Sequence, residues 1–325
     1  MNREDSDFDL LKSGKVFRRS FLRILKRDYF SKWQLYLFLL LPVVYIIIFA
    51  YFPMAGIQIA FKKFDFRLGI WNSPWVGLLY FKKFFQSYMF VRVFRNTIMI
   101  SFYSLIAGFP MPIILALILN AFPHRKYKKI VQSVSYMPHF ISTVVIVGMM
   151  LQLLNPRTGV IGTIYQLLTG DMIIDFFSKP AAFPHLYVWS GIWHGIGWGS
   201  IIYMAALSGI DPEMHESAEI DGATRFQRII YIDLPGILPT ATIMLIMNVG
   251  HIMNVGFEKA YLMQNTLNIS TSEVISTYVY KVGLNIGTGD FSFATAIGLF
   301  NAVINLFLLI IVNYFAKKVS RTSLW

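Results

Sequence analysis

The chain has 325 residues, 56% of them apolar and only 14% charged, with a formal net charge of +12. That balance excludes an ordinary soluble domain, and the absence of cysteine excludes disulfides, thiolate metal sites and a cysteine nucleophile. The basic residues gather beside apolar runs, at Arg18, Arg19, Arg23, Lys26 and Arg27 and again at 125–129, which is the positive-inside pattern of a membrane protein and argues against a nucleic-acid partner.

Residues 1–32 read as a basic cytoplasmic segment, and the apolar run at 33–52 lies too far along the chain for a cleaved signal, so it is expected as a retained first span. Charge-free stretches of about 20 residues recur at 97–121, 131–154, 186–210, 237–257 and 291–315. The prediction is an all-α membrane protein with six transmembrane helices in one domain, 33–315. Six crossings put both termini on one side. The basic N-terminus, with Lys317, Lys318 and Arg321 in the tail 316–325, makes that side the cytoplasm. The loop 53–96 is assigned outside although it carries seven Lys and Arg residues, and its 82–95 part is expected as a helix along the membrane surface. The loops 155–185 and 259–290 are too short for separate domains.

Polar residues within spans tend to face a bundle interior or a water-filled path. The third span offers Tyr136, His139 and Ser142, with Pro138 as a kink. The fourth carries Trp189, Trp193, His194 and Trp198, whose indoles suit stacking on a sugar ring and equally suit interfacial anchoring or packing. Its Gly195, Gly197 and Gly199 suggest close helix approach.

Between the fourth and fifth spans lies "DPEMHESAEIDGATRFQRIIYIDLP", 211–235, whose acids and arginines would each cost roughly 2.5–3.5 kcal/mol at a bilayer centre. It must lie outside the membrane, on the cytoplasmic face by the span count. Asp211-Pro212 reads as an N-cap and first helical residue, Gly222 as a left-handed stop, and 223–230 as a second short helix broken at Leu234-Pro235. In the fifth span, Asn248, His251, Asn254 and Glu258 are spaced to share one helical face, as a path for a hydroxylated ligand or as glue between helices. Asn301 and Asn305 in the sixth span are further candidates.

Glu216-Ser217-Ala218, Asp221-Gly222-Ala223 and Ile232-x-Leu234-Pro235 resemble the EAA loop of permease subunits of binding-protein-dependent ABC importers, whose pattern is Glu-Ala-Ala, three residues, Gly, nine residues, Ile-x-Leu-Pro. Ser217 is the one departure, small for small. Trp75-Val76-Gly77-Leu78 with Phe81 and Asn96-Thr97 is similar to the segment before the second span of sugar-type permeases. Gly256-Phe257-Glu258, 261–265, 277–280 and the Ser323-Leu324-Trp325 ending resemble the oligosaccharide and polysaccharide-fragment branch. The resemblance implies a MetI-like fold, and a 211–235 loop docked on a separate ATPase with Glu216 and Gly222 as coupling residues. The implied partners are a second homologous permease, two ATPase copies, and an extracellular or periplasmic solute-binding protein.

No P-loop sequence occurs, so ATP and Mg are expected on the partner ATPase, with no cofactor bound by this chain. His-Glu-x-x-His and Gly-x-Ser-x-Gly are also absent, so neither a metal site nor a hydrolase is expected. An ion-coupled transporter would need acids inside the spans, where Glu258 is the nearest. A permease for a peptide or amino acid, a non-transporting scaffold, and an acidic saccharide drawn in by Lys62, Lys63, Arg67, Lys82 and Lys83 are the remaining alternatives.

Overall fold

The computed structural model describes residues 33–284 and 289–320. The segment 1–32 with its arginines and lysines, Arg321 and the 323–325 ending lie outside the described residues. Helices dominate, and among the described residues the one extended pairing is an isolated antiparallel bridge between Lys62 and Trp75.

The chain divides into two units, Met1–Gln58 and Ile59–Trp325. In the first, a helix over Trp33–Ile46 continues through a π turn at Ile47–Tyr51, where Phe52 N–H donates to Ile47 O. The wider turn lies just ahead of Pro53, whose missing N–H would interrupt a regular helical ladder.

Among the described residues, four helical stretches are long and apolar enough to cross a membrane: Trp33–Phe61, Tyr88–Ala121, Arg225–Gly250 and Phe291–Lys318. The third expected span is not straight. Arg125–Phe140 and Thr143–Leu153 meet at 99°, and they make a fifth crossing if the pair counts as one. A 3₁₀ turn at Met137–Phe140 holds Pro138, and Ser142 then caps a new helix by accepting from Val145 N–H, so an uncharged run conceals a stop and a start. The Phe183–Ser208 helix has 26 residues, about 39 Å of rise, and is sufficient in length; its glycines, histidines, tryptophans and tyrosines lower its hydropathy.

Two other expectations change. Residues 82–95 do not form one surface helix: Leu79–Gln86 is a separate short helix, and Ser87 accepts from Met89 N–H to start the long Tyr88–Gly108 helix, which contains Arg92 and Arg95. The fifth span ends early. Its helix stops at Gly250, and His251 (φ −115°) turns the chain toward a new helix at Phe257–Met263. Asn248, His251, Asn254 and Glu258 therefore do not share one helix face.

Within the second unit the Phe183–Ser208 helix packs along Tyr88–Gly108, Pro110–Ala121 and Leu234–Gly250. Lipid removes the hydrophobic drive between helices, so close van der Waals fit must hold them. Gly197 supplies it against a further neighbour, the Arg125–Tyr136 helix: a Cβ there would lie 2.0 Å from Ser135 O. Among the described residues the core has three apolar clusters, around Phe84, Ile275 and Ile297, around Ile100, Phe183 and Met263, and around Tyr203, Leu207 and Ile237.

The segment resembling sugar-type permeases serves as a brace. Lys62 is 2% exposed, its ammonium donates to Ile70 O and Trp71 O at 2.9 Å, and Ser292 Oγ donates to Lys62 O. Asn96 Nδ2 donates to Ser270 O and Glu273 O, while Thr97 Oγ1 accepts from Ile275 N–H. Asn268 Nδ2 donates to Phe177 O and Met263 O, which closes the loop after the 257–263 helix.

Candidate functional site

Two places in the second unit concentrate polar chemistry: the turn around Gly222 and a cavity beside the Phe183–Ser208 helix.

The turn is built by local hydrogen bonding. Asp211 Oδ1 accepts from Glu213 N–H at 3.0 Å, Pro212 occupies the first helical turn, and the helix runs Pro212–Ile220. It ends in a Schellman motif: Gly222 N–H donates to Glu219 O at 3.1 Å, Ala223 N–H donates to Ala218 O at 2.8 Å, and Gly222 has φ +81°. The alanines at 218 and 223 thus occupy the two positions bridged by the outer bond, both half-buried, which gives the small residues of the pattern a structural reason. Thr224 opens the Arg225–Arg228 helix with a capping box, exchanging bonds with Gln227; the Thr-x-x-Gln signature was present in the sequence and not used. Arg228 joins Glu219 at 2.9 Å.

The second helix does not break at Leu234-Pro235. It continues through a π turn at Ile229–Asp233, in which Leu234 N–H donates to Ile229 O, so the helix from Arg225 to Gly250 is unbroken across the proline. Asp233 is buried there, accepting from His215 Nε2 at 3.2 Å and Asn120 Nδ2 at 3.4 Å. These contacts tie the helix pair to the Pro110–Ala121 helix. No spacing rule links 120, 215 and 233, and sequence reasoning missed the trio. Glu216, Ser217 and Asp221 are exposed, and so are Ile220 (87%) and Phe226 (69%), an apolar pair flanking the turn.

The cavity has a volume of about 490 Å³ and sits among the Tyr88–Gly108, Phe183–Ser208 and Leu234–Gly250 helices. That volume lies within the ~300–1,000 Å³ range of ligand sites. Gly191, Gly195 and Gly199, spaced four apart, place one side-chain-free face of the central helix along it. Asn248, His251 and Asn254 also line it, because the turn after Gly250 brings back what the helix end separates. Asn248 Nδ2 donates to Met244 O, leaving its carbonyl oxygen, whereas Asn254 Oδ1 accepts from Asn301 and Asn305 at 3.2 and 3.0 Å, leaving its amino group. Asn254 therefore serves as glue to the Phe291–Ser320 helix and as cavity lining at once, while Asn248 is bonded only within its own helix. Ser101 Oγ is buried against the cavity with no hydrogen-bond partner.

Trp193, Trp198, Tyr136, His139, Asn301 and Glu258 lie outside the lining. Trp198 stacks on His139 at 4.5 Å and 6°, and His139 lies 5.7 Å from the ring of His194, which does reach the cavity. Glu258 is exposed in the first turn of the 257–263 helix. Among the lining residues that were not anticipated are Tyr187 and Lys259. Lys259 Nζ donates to Tyr187 O at 2.7 Å and lies 4.7 Å above the Tyr187 ring, while Tyr187 OH accepts from Gly256 N–H at 3.0 Å. Burial lowers the Lys259 ammonium to about 8. In the sequence a lysine marks the end of an apolar run, so Lys259 there signals only the start of a loop.

Comparison with known proteins agrees over nearly the whole length. The family described as binding-protein-dependent transport system inner membrane component matches residues 108–321. Protein LplB of Bacillus subtilis is 42% identical over 319 residues, covering 98% of each chain. The polygalacturonan/rhamnogalacturonan transport system permease protein YteP of the same organism is 36% identical, covering 95% of this chain and 94% of its own. Among solved structures, a chain of a bacterial ABC transporter involved in the import of the acidic polysaccharide alginate is 40% identical with a TM-score of 0.82, covering 91% of this chain and 99% of that one. A chain of the alginate transporter in complex with its pentasaccharide-bound periplasmic protein is 39% identical with a TM-score of 0.83, covering 92% and 99%.

Proposed function

Starting from the fact that this chain belongs to the family of binding-protein-dependent transport system inner membrane components, we propose that it is the permease subunit of an ATP-driven importer for an oligosaccharide or polysaccharide fragment. The observation that carries this reading is the Gly222 turn, where the EAA pattern forms a short helix braced on the start of the Arg225–Gly250 helix in a chain whose fold matches an importer permease. The saccharides named for the relatives support the cargo class over a peptide or amino acid.

In this reading the protein is a multi-pass component of the bacterial inner membrane, with six crossings, both termini cytoplasmic, and 211–235 on the cytoplasmic face. A solute-binding protein delivers the cargo from outside. A second, homologous permease completes the path, and two ATPase subunits hold ATP and Mg, so this chain does no hydrolysis of its own. Ile220 and Phe226 flank the turn as exposed apolar contacts for the ATPase groove, and Glu216, which pairs with no described residue, offers it a carboxylate. Glu216, Ser217, Ala218, Asp221, Gly222, Ala223, Leu234 and Pro235 form the coupling element. The Arg228–Glu219 and His215–Asp233–Asn120 contacts let it move with the membrane helices as one piece. ATP binding drives transport only if the ATPase dimer binds the inward-open and outward-open states with different affinity.

The test is ATP hydrolysis by the co-purified complex in lipid, with its binding protein, against a panel of oligosaccharides. One saccharide should stimulate it, and Glu216→Ala should lose about tenfold of that stimulation, the equivalent of one charge-assisted contact. If no ATPase co-purifies, no saccharide acts and uptake instead follows a proton gradient, the reading fails.

A further inference from the structure

Lys259 is a cation without a counter-charge in a cavity that contains no carboxylate. The lining includes no Asp or Glu, and none of the four ion pairs among the described residues involves Lys259. An ammonium removed from water is costly unless paired. It has three donors, and one is used on Tyr187 O. The ring of Tyr187 attracts the charge but supplies no oxygen.

The surroundings are shaped around this charge. Gly191 leaves room for it, since a Cβ at 191 would sit 3.2 Å from Lys259 Nζ. Tyr187 is held beneath it by the bond from Gly256 N–H, and a Cβ at Gly256 would lie 3.2 Å from that hydroxyl. The lining of the same cavity also offers groups suited to neutral hydroxyls: the unpartnered Ser101 Oγ, the Asn248 carbonyl oxygen and the Asn254 amino group. Two cations outside the cavity are already engaged. Lys62 is bonded to two backbone carbonyls, and Lys83 is paired with Asp290 at 3.1 Å.

We infer that Lys259 is a specificity-determining residue, whose ammonium pairs with the carboxylate of a uronic-acid unit as an acidic oligosaccharide passes through the cavity. The inference rests on the importer reading above. Charge selection then takes place inside the cavity, where a low dielectric strengthens the pair.

The experiment uses the whole complex in proteoliposomes with its binding protein. Probes are pentasaccharides of mannuronate, guluronate and galacturonate, with the carboxyl-reduced neutral form of each. At saturating binding protein, one uronate should be taken up. Lys259→Met should lower that uptake about tenfold or more, the loss of one charge-assisted bond, while Lys259→Arg should stay within about threefold. A second measurement needs no variant: the carbodiimide-activated uronate, applied to the wild-type complex, should leave an amide adduct on Lys259 that excess unactivated sugar suppresses. Equal uronate uptake by Lys259→Met, or an adduct-free Lys259, overturns the inference. If neutral sugars alone are imported, it also falls, while the importer reading stands. If no saccharide of either kind is imported, it is the importer reading that falls. Should Lys259→Met fail to assemble, the adduct decides.

Discussion

Replacing Gly222 by valine should separate ATP hydrolysis from transport. At φ +81° the backbone is in the left-handed region, and a Cβ built on Gly222 meets nothing within 4 Å. The cost is therefore one of backbone conformation and not of collision. It is about 1–2 kcal/mol for an ordinary L-residue, and a β-branched residue lies at the upper end or beyond. That reduces the closed turn about 5–30-fold relative to open ones. The helix pair would lose the bonds from Gly222 N–H to Glu219 O and from Ala223 N–H to Ala218 O together, since both require that dihedral. Coupled uptake in proteoliposomes should fall by a similar factor, with membrane insertion and the cavity unchanged. Gly222→Asn is the control, because asparagine tolerates the left-handed region, and it should keep most of the coupling. Normal coupling in Gly222→Val, or an equal loss in Gly222→Asn, would show that the turn's conformation is not what links the two activities.

Three further outcomes follow from the packing. A His215→Ala, Asp233→Ala double-mutant cycle should return a coupling energy of about 1–3 kcal/mol in thermal unfolding of the purified complex, because the carboxylate is buried; a value near zero would remove Asp233 from the brace. Gly197→Ala should destabilise by about 1–3 kcal/mol, since its Cβ would overlap Ser135 O at 2.0 Å, whereas Gly195→Ala, with nothing within 4 Å, should be neutral or stabilising by up to about 1 kcal/mol. Equal melting temperatures for the two would refute the close approach. Asn305→Leu should cost about 1–3 kcal/mol in the same assay, because it leaves Met253 N–H unsatisfied and removes one of two donors from Asn254 Oδ1.

What the sequence determined by itself was whatever depends on neighbours along the chain. Charge-free length found the apolar centres of the membrane-length helices but not their ends, since Tyr88–Ala121 and Arg225–Gly250 begin well ahead of the uncharged stretches at 97 and 237; Asp211-Pro212 and Gly222 marked a start and a stop that the backbone adopts, because caps and left-handed turns are made from bonds a few residues long. Hydropathy could not see the 99° bend at 141–142, where Pro138 and the Ser142 cap interrupt the helix without adding a charge. Nor could a period of 3.6 warn that the helix ends at Gly250, so the face assumed for Asn254 and Glu258 did not exist, although the following turn returned Asn254 to the cavity and left Glu258 in solvent. Only the tertiary structure decided that Lys259 meets Tyr187 across 72 positions and that Asp233 gathers His215 and Asn120. Those meetings depend on which helices lie side by side, and no local bond records that choice.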